Sequence, residues 1–162
     1  MSDPVVRRAK TRRFDSLEQE VFLNLWRSYD RLRILEDELF TQHDLTPQQY
    51  NVLRVLRGSR PEPMPTFAIA RRLVSRAPDV TRILDKLEAR GLIERRRDRS
   101  NRRVVLVSIT DMGLTLLHAL QEAVRRCHAK QLGHMTRPDL ETLARLLKEA
   151  RLPHETQDDD WR

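Results

Sequence analysis

The chain has few of the residues that mark secreted or membrane-spanning proteins. Cys127 is the only cysteine among 162 residues, so no disulfide can form within the chain and a cytoplasmic protein is expected. The sequence contains no run of about 18 apolar residues, and no apolar segment follows the basic N-terminus. We therefore expect neither a membrane partner nor a targeting segment. Only four glycines are present, which predicts short connections between elements.

Patterns for catalysis, metals and nucleotides are also missing. The histidines include no His-x-x-x-His pair, and Cys127 and His128 are adjacent, so on a helix their side chains point about 100° apart. Neither a P-loop nor a Rossmann glycine pattern occurs. We expect no enzyme activity, no metal and no cofactor. Cys127 lies in an apolar stripe, which favours a buried, inert thiol over the alternative of a redox sensor.

Positive charge, by contrast, is abundant. Lys plus Arg number 31 against 24 acids, which gives a net charge of +7 and a pI near 10.4. Nearly all of the cations are arginine, which binds phosphates and guanine edges in a bidentate way that lysine does not. A high-GC codon bias also raises arginine content. The charge favours a polyanionic partner but does not by itself distinguish DNA from RNA or a membrane.

Capping signals and apolar spacing predict a mainly helical chain. Ser16 and Gln19 suggest a capping box before a long helix to about residue 43, and Thr46-Pro47 starts a second helix that stops at Gly58. A loop, SRPEPMP, and a short helix over 65–73 follow. Further helices are predicted from Pro78, from 110 to 130 and from 136 to 151. Residues 1–14 are expected to form a disordered basic arm, and 152–162 an acidic tail.

The segment from Asp79 to Thr110 is the most informative. It predicts a helix ended by Gly91, then strands at 92–96 and 104–109 joined by an Asp-Arg-Ser-Asn turn rich in neighbouring arginines. A helix followed by a basic two-stranded ribbon is typical of a winged helix-turn-helix, which binds duplex DNA. The predicted fold is therefore mainly α with a small two-stranded β-wing.

This pattern resembles the multiple-antibiotic-resistance regulator (MarR) family of winged helix-turn-helix transcription regulators. The resemblance covers about residues 17–147 and is strongest in LTPQQYNVLRVL, in VTRILDKLEARGLIERRRDRSNRRVVLVSIT and in the glycine of TDMG. It implies a MarR-like domain at 15–151, with a DNA-binding lobe at about 46–110 between dimerisation helices at about 16–43 and 111–151. The family's wing carries Asp-x-Arg near its tip. Here Arg103 is present, but Asn101 replaces the acid that would brace it.

The geometry of a winged helix predicts which residues contact DNA. A recognition helix presents its N-terminal, solvent-facing side chains to the major groove, and Arg82 is the best candidate to bind a guanine. Asp79 is expected either to accept from a cytosine or to stabilise the helix dipole. Arginines near the wing turn suit the minor groove, while Arg95 and Arg97 suit phosphates. The full predicted set is Arg76, Pro78, Asp79, Thr81, Arg82, Lys86, Arg95, Arg97, Arg99, Arg102 and Arg103.

A second stripe on the first helix, Phe22, Trp26 and Tyr29, has two interpretations. It is either core, or it lines the cleft in which family members often bind small aromatic or anionic ligands. The resemblance implies a ligand-responsive homodimeric regulator, expected to be a repressor, that binds a pseudo-palindromic operator. The alternatives are an architectural DNA binder without sequence preference, and an enzyme or RNA-binding module built on a winged helix. A ratio of specific to non-specific affinity near one would favour the first alternative.

Overall fold

A computed structural model describes residues 14–74 and 79–155, and within them the chain is mainly helical with a small sheet, as predicted. The predicted tail begins with a 3₁₀ turn, and its residues 156–162, like residues 1–13 of the predicted arm, lie outside the described residues. In chain order the elements are α1 (Leu17–Thr41), α2 (Pro47–Ser59), β1 (Met64–Pro65), α3 (Thr66–Arg72), α4 (Val80–Ala89), β2 (Ile93–Arg97), β3 (Val105–Ile109), α5 (Asp111–Leu132), α6 (Arg137–Arg151) and the 3₁₀ turn Leu152–His154.

The chain divides after Ile34 into two compact units, Met1–Ile34 and Leu35–Arg162. The described part of the first unit begins α1. Ser16 Oγ accepts the backbone N–H of Gln19 at 3.1 Å, as a helix cap should. Gln19 Oε1, however, accepts from the backbone N–H of Asp15 at 2.8 Å, so the predicted capping box is only half formed. The side chain reaches one residue further back than expected.

In the second unit, α2 starts as predicted but ends later. Thr46 and Gln49 form a complete capping box, with the two hydrogen bonds at 3.2 and 2.9 Å. The predicted stop at Gly58 is wrong, because the helix continues to Ser59. Pro61 gives the physical reason: the residue before a proline is pushed out of the helical region, and Arg60 is extended with ψ 144°.

The sheet has three strands rather than the predicted two. β1 lies in the segment predicted to be a loop and pairs antiparallel with β3, with Met64 opposite Val107, so the strand order is β1-β3-β2. A two-residue strand is too short to show an alternating pattern in the sequence. Met64 is buried, so the pairing also anchors the chain just before α3.

The core of the second unit lies where α2, α3, α4, α5 and the sheet meet. α4 buries Leu84 and Leu87 on the face predicted for it, with Val80 and Ile83 packed at its edge. From the other elements the most deeply buried side chains are Val52, Leu53, Leu56, Ile69, Val107, Leu117 and Leu120. The predicted inward stripe of α6 is wrong for a single chain. None of its side chains is buried: Leu140 and Leu143 are half-buried, and Leu147 and Ala150 are exposed.

Thr110 joins the end of the wing to the start of α5. Its Oγ1 accepts the N–H of Gly113 at 3.1 Å and donates to the carbonyl of Gly91 at 2.6 Å. Gly91 has φ +67°, as a glycine that ends a helix should. A Cβ at Gly113 would lie 2.3 Å from the carbonyl oxygen of Leu92, so only glycine permits this approach. The joint fixes the wing relative to α4 and α5.

Candidate nucleic-acid interface

The exposed face of α4 is the first part of the site. With Leu84 and Leu87 turned into the core, the side chains of Thr81, Arg82 and Lys86 face solvent. Among the residues described, neither the Arg82 guanidinium nor the Lys86 amine has a hydrogen bond or an ion pair. These polar groups are therefore available to the edges of bases in a groove.

Asp79 caps the start of this helix. Its Oδ1 accepts the backbone N–H of Arg82 at 2.9 Å, which makes it the N-cap of α4. This supports the dipole-stabilising interpretation of Asp79 over base contact. The predicted contact residues Arg76 and Pro78 lie at 75–78, outside the described residues.

The opposite end of α4 is held by Arg90. Its guanidinium donates to two backbone carbonyls of the turn between α1 and α2, those of Asp44 and His43, the latter at 3.3 Å. Both carbonyls belong to the turn that follows α1. The C-terminal end of α4 is thus attached to the connection between the first two helices.

Two short side chains order the tip of the wing. Asp98 Oδ1 accepts from the backbone N–H of Ser100 at 2.7 Å and from its hydroxyl at 2.8 Å, and these bonds lower the pKa of Asp98. Asn101 Oδ1 accepts from the backbone N–H of Arg103 at 3.1 Å. Asn101 therefore braces the backbone at Arg103, although it cannot form an ion pair with the guanidinium.

The wing arginines divide into two groups. Arg99, Arg102 and Arg103 are exposed, and in the described part of the chain their guanidinium groups have no hydrogen bond or ion pair. Arg97 donates from Nη1 to the carbonyl of Arg102 at 3.1 Å and so supports the turn. The first group presents unpaired positive charge at the tip, as predicted for minor-groove contact.

Arg95 faces α4 instead of solvent. Its Nε donates to Glu88 Oε2 at 2.8 Å, and its Nη2 donates to Asp85 Oδ1 at 2.7 Å. The hydrogen bond from Arg95 lowers the pKa of Glu88, and the same contact raises the pKa of Arg95. The sequence predicted a phosphate contact for Arg95 and did not identify the two acids as its partners. The pattern does contain two acids three residues apart on the helix and one arginine on the inner side of β2.

Helix and wing share one surface. An open groove of about 450 Å³ runs between α3, α4 and the wing. Thr81 from the first turn of α4 lines one side, and Arg103 from the wing lines another. The groove thus brings an exposed residue of α4 and an arginine of the wing to one open surface.

The residues that line the groove do not include the aromatic stripe of α1. The side chains of Phe22, Trp26 and Tyr29 are 62%, 64% and 64% exposed, and the rings of Phe22 and Trp26 are 6.3 Å apart. The interpretation of the stripe as core is therefore wrong for a single chain.

Cys127 is buried, as predicted. Its side chain is 6% exposed, and burial, with Glu36 as the next cause, raises the pKa of its thiol. A raised pKa leaves less thiolate, the reactive form.

In the described part of the chain, no three His, Cys, Asp or Glu side chains are placed to hold a metal ion, and no helix is long and apolar enough to span a bilayer.

Comparison with known proteins gives consistent results. A model of the MarR family matches residues 43–104. The crystal structure of a MarR transcription factor from Planctomyces limnophilus is 54% identical, covers 84% of this chain and 98% of that chain, and has a TM-score of 0.67. The homoprotocatechuate degradative operon repressor of Escherichia coli is 28% identical over 108 residues, which are 67% of this chain and 72% of the repressor. A mutant MarR from Escherichia coli, complexed with operator DNA, is similar in fold, with 24% identity, a TM-score of 0.72 and coverage of 83% of this chain and 98% of that chain.

Proposed function

The chain belongs to the MarR family of transcription regulators, and from that premise we propose that it is a homodimeric repressor that binds a pseudo-palindromic DNA operator. In this proposal α4 enters the major groove and the wing tip enters the adjacent minor groove. The similarity to an operon repressor of Escherichia coli supports repression, and the protein would act in the cytoplasm without catalysing a reaction.

The observation that carries the proposal is the shared surface of α4 and the wing. Thr81 from α4 and Arg103 from the wing tip line one groove, and Arg82 follows Thr81 as an exposed residue of the same helix, so a single duplex can contact both elements. Base edges carry sequence information in the major groove, while the minor groove attracts arginine through its width and charge. We therefore assign base reading to Arg82 and backbone or groove-width sensing to Arg103.

Two substitutions test whether Arg82 reads a base and whether Arg103 senses the backbone or the groove width. The preferred duplex is first selected from a random pool, and affinities are then measured for it and for random DNA over a series of salt concentrations. Arg82→Ala should cost roughly 1–3 kcal/mol on the selected duplex and relax the preference at one position of each half-site. Arg103→Ala should weaken binding to all duplexes and flatten the salt dependence by about one unit of slope.

Each alternative has its own result in the same experiment. Equal affinity of the unaltered protein for selected and random duplexes would support the architectural DNA binder and overturn operator recognition. A loss on Arg82→Ala that is uniform across sequences would show that Arg82 holds phosphate and does not read a base.

We propose a ligand response on separate grounds, namely the exposed stripe of Phe22, Trp26 and Tyr29. A small aromatic acid or phenol that packs on these rings should lower operator affinity, and by linkage operator DNA should lower the affinity for the ligand by the same factor. Trp26→Ala should reduce the effect of salicylate on DNA binding more than it reduces DNA binding itself, as measured by fluorescence anisotropy of labelled operator. A dimer that unfolds on this substitution would instead assign Trp26 to the interface.

A further inference from the structure

The contact between Arg95 and α4 has a role that a phosphate-binding arginine would not have. The guanidinium lies on the inner side of β2 and is 24% exposed, while Asp85 and Glu88 are 56% and 38% exposed. One arginine therefore joins two acids of the recognition helix to the first strand of the wing. The nitrogens Nε and Nη2 are both used in these bonds.

The two acids need a partner if α4 is to approach DNA. Uncompensated carboxylates on a helix in the major groove would repel the phosphates on both sides. Glu88 is ionised at neutral pH because its ordinary pKa is 4.5, and the hydrogen bond from Arg95 lowers this pKa further, so the pair also persists at lower pH. Arg95 thus offsets negative charge on the helix, and its guanidinium is less available to bind DNA because it is engaged with the acids.

The pair also sets the distance between two DNA-contacting elements. α4 and the wing must reach adjacent grooves at once, so a change in their spacing misaligns one of them. The tip has its own internal bonds at Asp98 and Asn101, but these do not attach it to α4. The contact of Arg95 with Asp85 and Glu88 adds a side-chain attachment to the joint that Thr110 makes with Gly91.

We propose that Arg95 is a positioning residue, which holds the wing at a fixed spacing from α4 and shields the acids of α4 from the duplex. This inference rests on the proposed function, because it specifies how the two reading elements are aligned. It reassigns Arg95 from phosphate contact to an internal contact. Operator discrimination then depends on Arg95 through the two elements that it joins, although its side chain also lines the groove between α4 and the wing.

A charge swap separates the two roles. Arg95→Glu places a carboxylate against Asp85 and Glu88, whereas Arg95→Glu combined with Glu88→Arg restores an ion pair with the original total charge. In the double variant the new arginine at position 88 lies one helical turn from Asp85 and can pair with it as well. Arg99→Glu is the matched control, since it makes the same charge change at an exposed wing position.

Two measurements are made on each variant. The first is the amide hydrogen exchange of residues 93–97 and 105–109 without DNA. The second is the ratio of affinities for the selected and the random duplex. Arg95→Glu should speed wing exchange and lower the ratio by about fivefold, the upper range for a partly exposed ion pair, and the swap should restore both. Arg99→Glu should weaken binding to every duplex and leave the exchange unchanged.

The outcomes are distinct. In one outcome the double variant binds DNA as weakly as Arg95→Glu while both variants keep the hydrogen exchange of the unaltered wing. That result would show that Arg95 contacts phosphate and would overturn the proposal. If the unaltered protein has a ratio near one, operator recognition fails, yet the exchange measurement still decides whether Arg95 holds the wing. If Arg95→Glu does not fold, Arg95→Met serves in its place and should show the same two effects at smaller amplitude.

Discussion

At the wing tip, Asn101 takes the position at which the family pattern has an acid. Its side chain accepts the backbone N–H of Arg103, so the turn is ordered while the guanidinium is left to solvent. An aspartate would accept the same bond and would also attract the guanidinium. The two residues therefore differ in charge and in how much side-chain entropy Arg103 loses when it meets DNA.

We predict that Asn101→Asp tightens operator binding by roughly threefold, the size of a typical exposed ion pair. The physical reason is that a guanidinium already held in place loses less freedom on binding. Titration of labelled operator at low and high salt measures the change. Weaker binding at every salt concentration would mean that repulsion between the new carboxylate and phosphate outweighs bracing.

Among the elements, α4 and β2 are joined by a contact that depends on pH. The folded pKa of Glu88 is lowered by Arg95 from the ordinary value of 4.5, so its contribution to stability is present above that value and is lost as pH falls through the folded pKa. We predict that wing exchange accelerates below pH 4.5 and that Glu88→Gln removes this particular dependence. The effect should be small, because Glu88 is partly exposed and solvent screens the pair. Exchange measured over a pH series, corrected for the intrinsic rate, checks it; an identical pH profile in Glu88→Gln would argue against the contact.

Local signals predicted the helices well and the sheet less well. Threonines 46, 110 and 136 cap helices where the sequence placed them, because a cap depends only on neighbours within one turn. β1 was not predicted, since its pairing with β3 joins residues about 43 positions apart and leaves no periodic trace. The partners of Arg95 were also missed. The charge of Arg95 is visible in the sequence, but only the fold shows that Asp85 and Glu88 lie beside it.

At the scale of the whole molecule, apolar side chains on α1 and α6 exceed what one chain covers. Leu17, Val21, Leu25 and Ile34 on α1 are between 38% and 60% exposed, and Leu146 on α6 is 48% exposed. Exposed apolar side chains in such number are unusual for a monomeric protein in water. The family resemblance predicted that these two helices, together with α5, form the dimer.

We predict an obligate homodimer built by residues at about 17–40 and 114–150. Sedimentation equilibrium should give twice the chain mass at micromolar concentration, and footprints should show two half-sites about 10 base pairs apart, centre to centre. Val21→Asp combined with Leu25→Asp should yield a monomer or an unfolded chain. A well-folded monomer of the unaltered protein, or a single isolated half-site, would contradict the prediction.

The attachments of α4 have a consequence for how this protein diversifies. Asp85, Glu88 and the C-cap residue Arg90 are committed to β2 and to the turn after α1. The side chains of Thr81, Arg82 and Lys86 make no such contacts among the described residues. Mutation at these three positions can therefore explore new operator preferences without disturbing the frame that presents them. Selection for fold and selection for target act on different residues of one ten-residue helix and its cap, so gene duplicates can diverge in the sites they regulate while they keep one architecture.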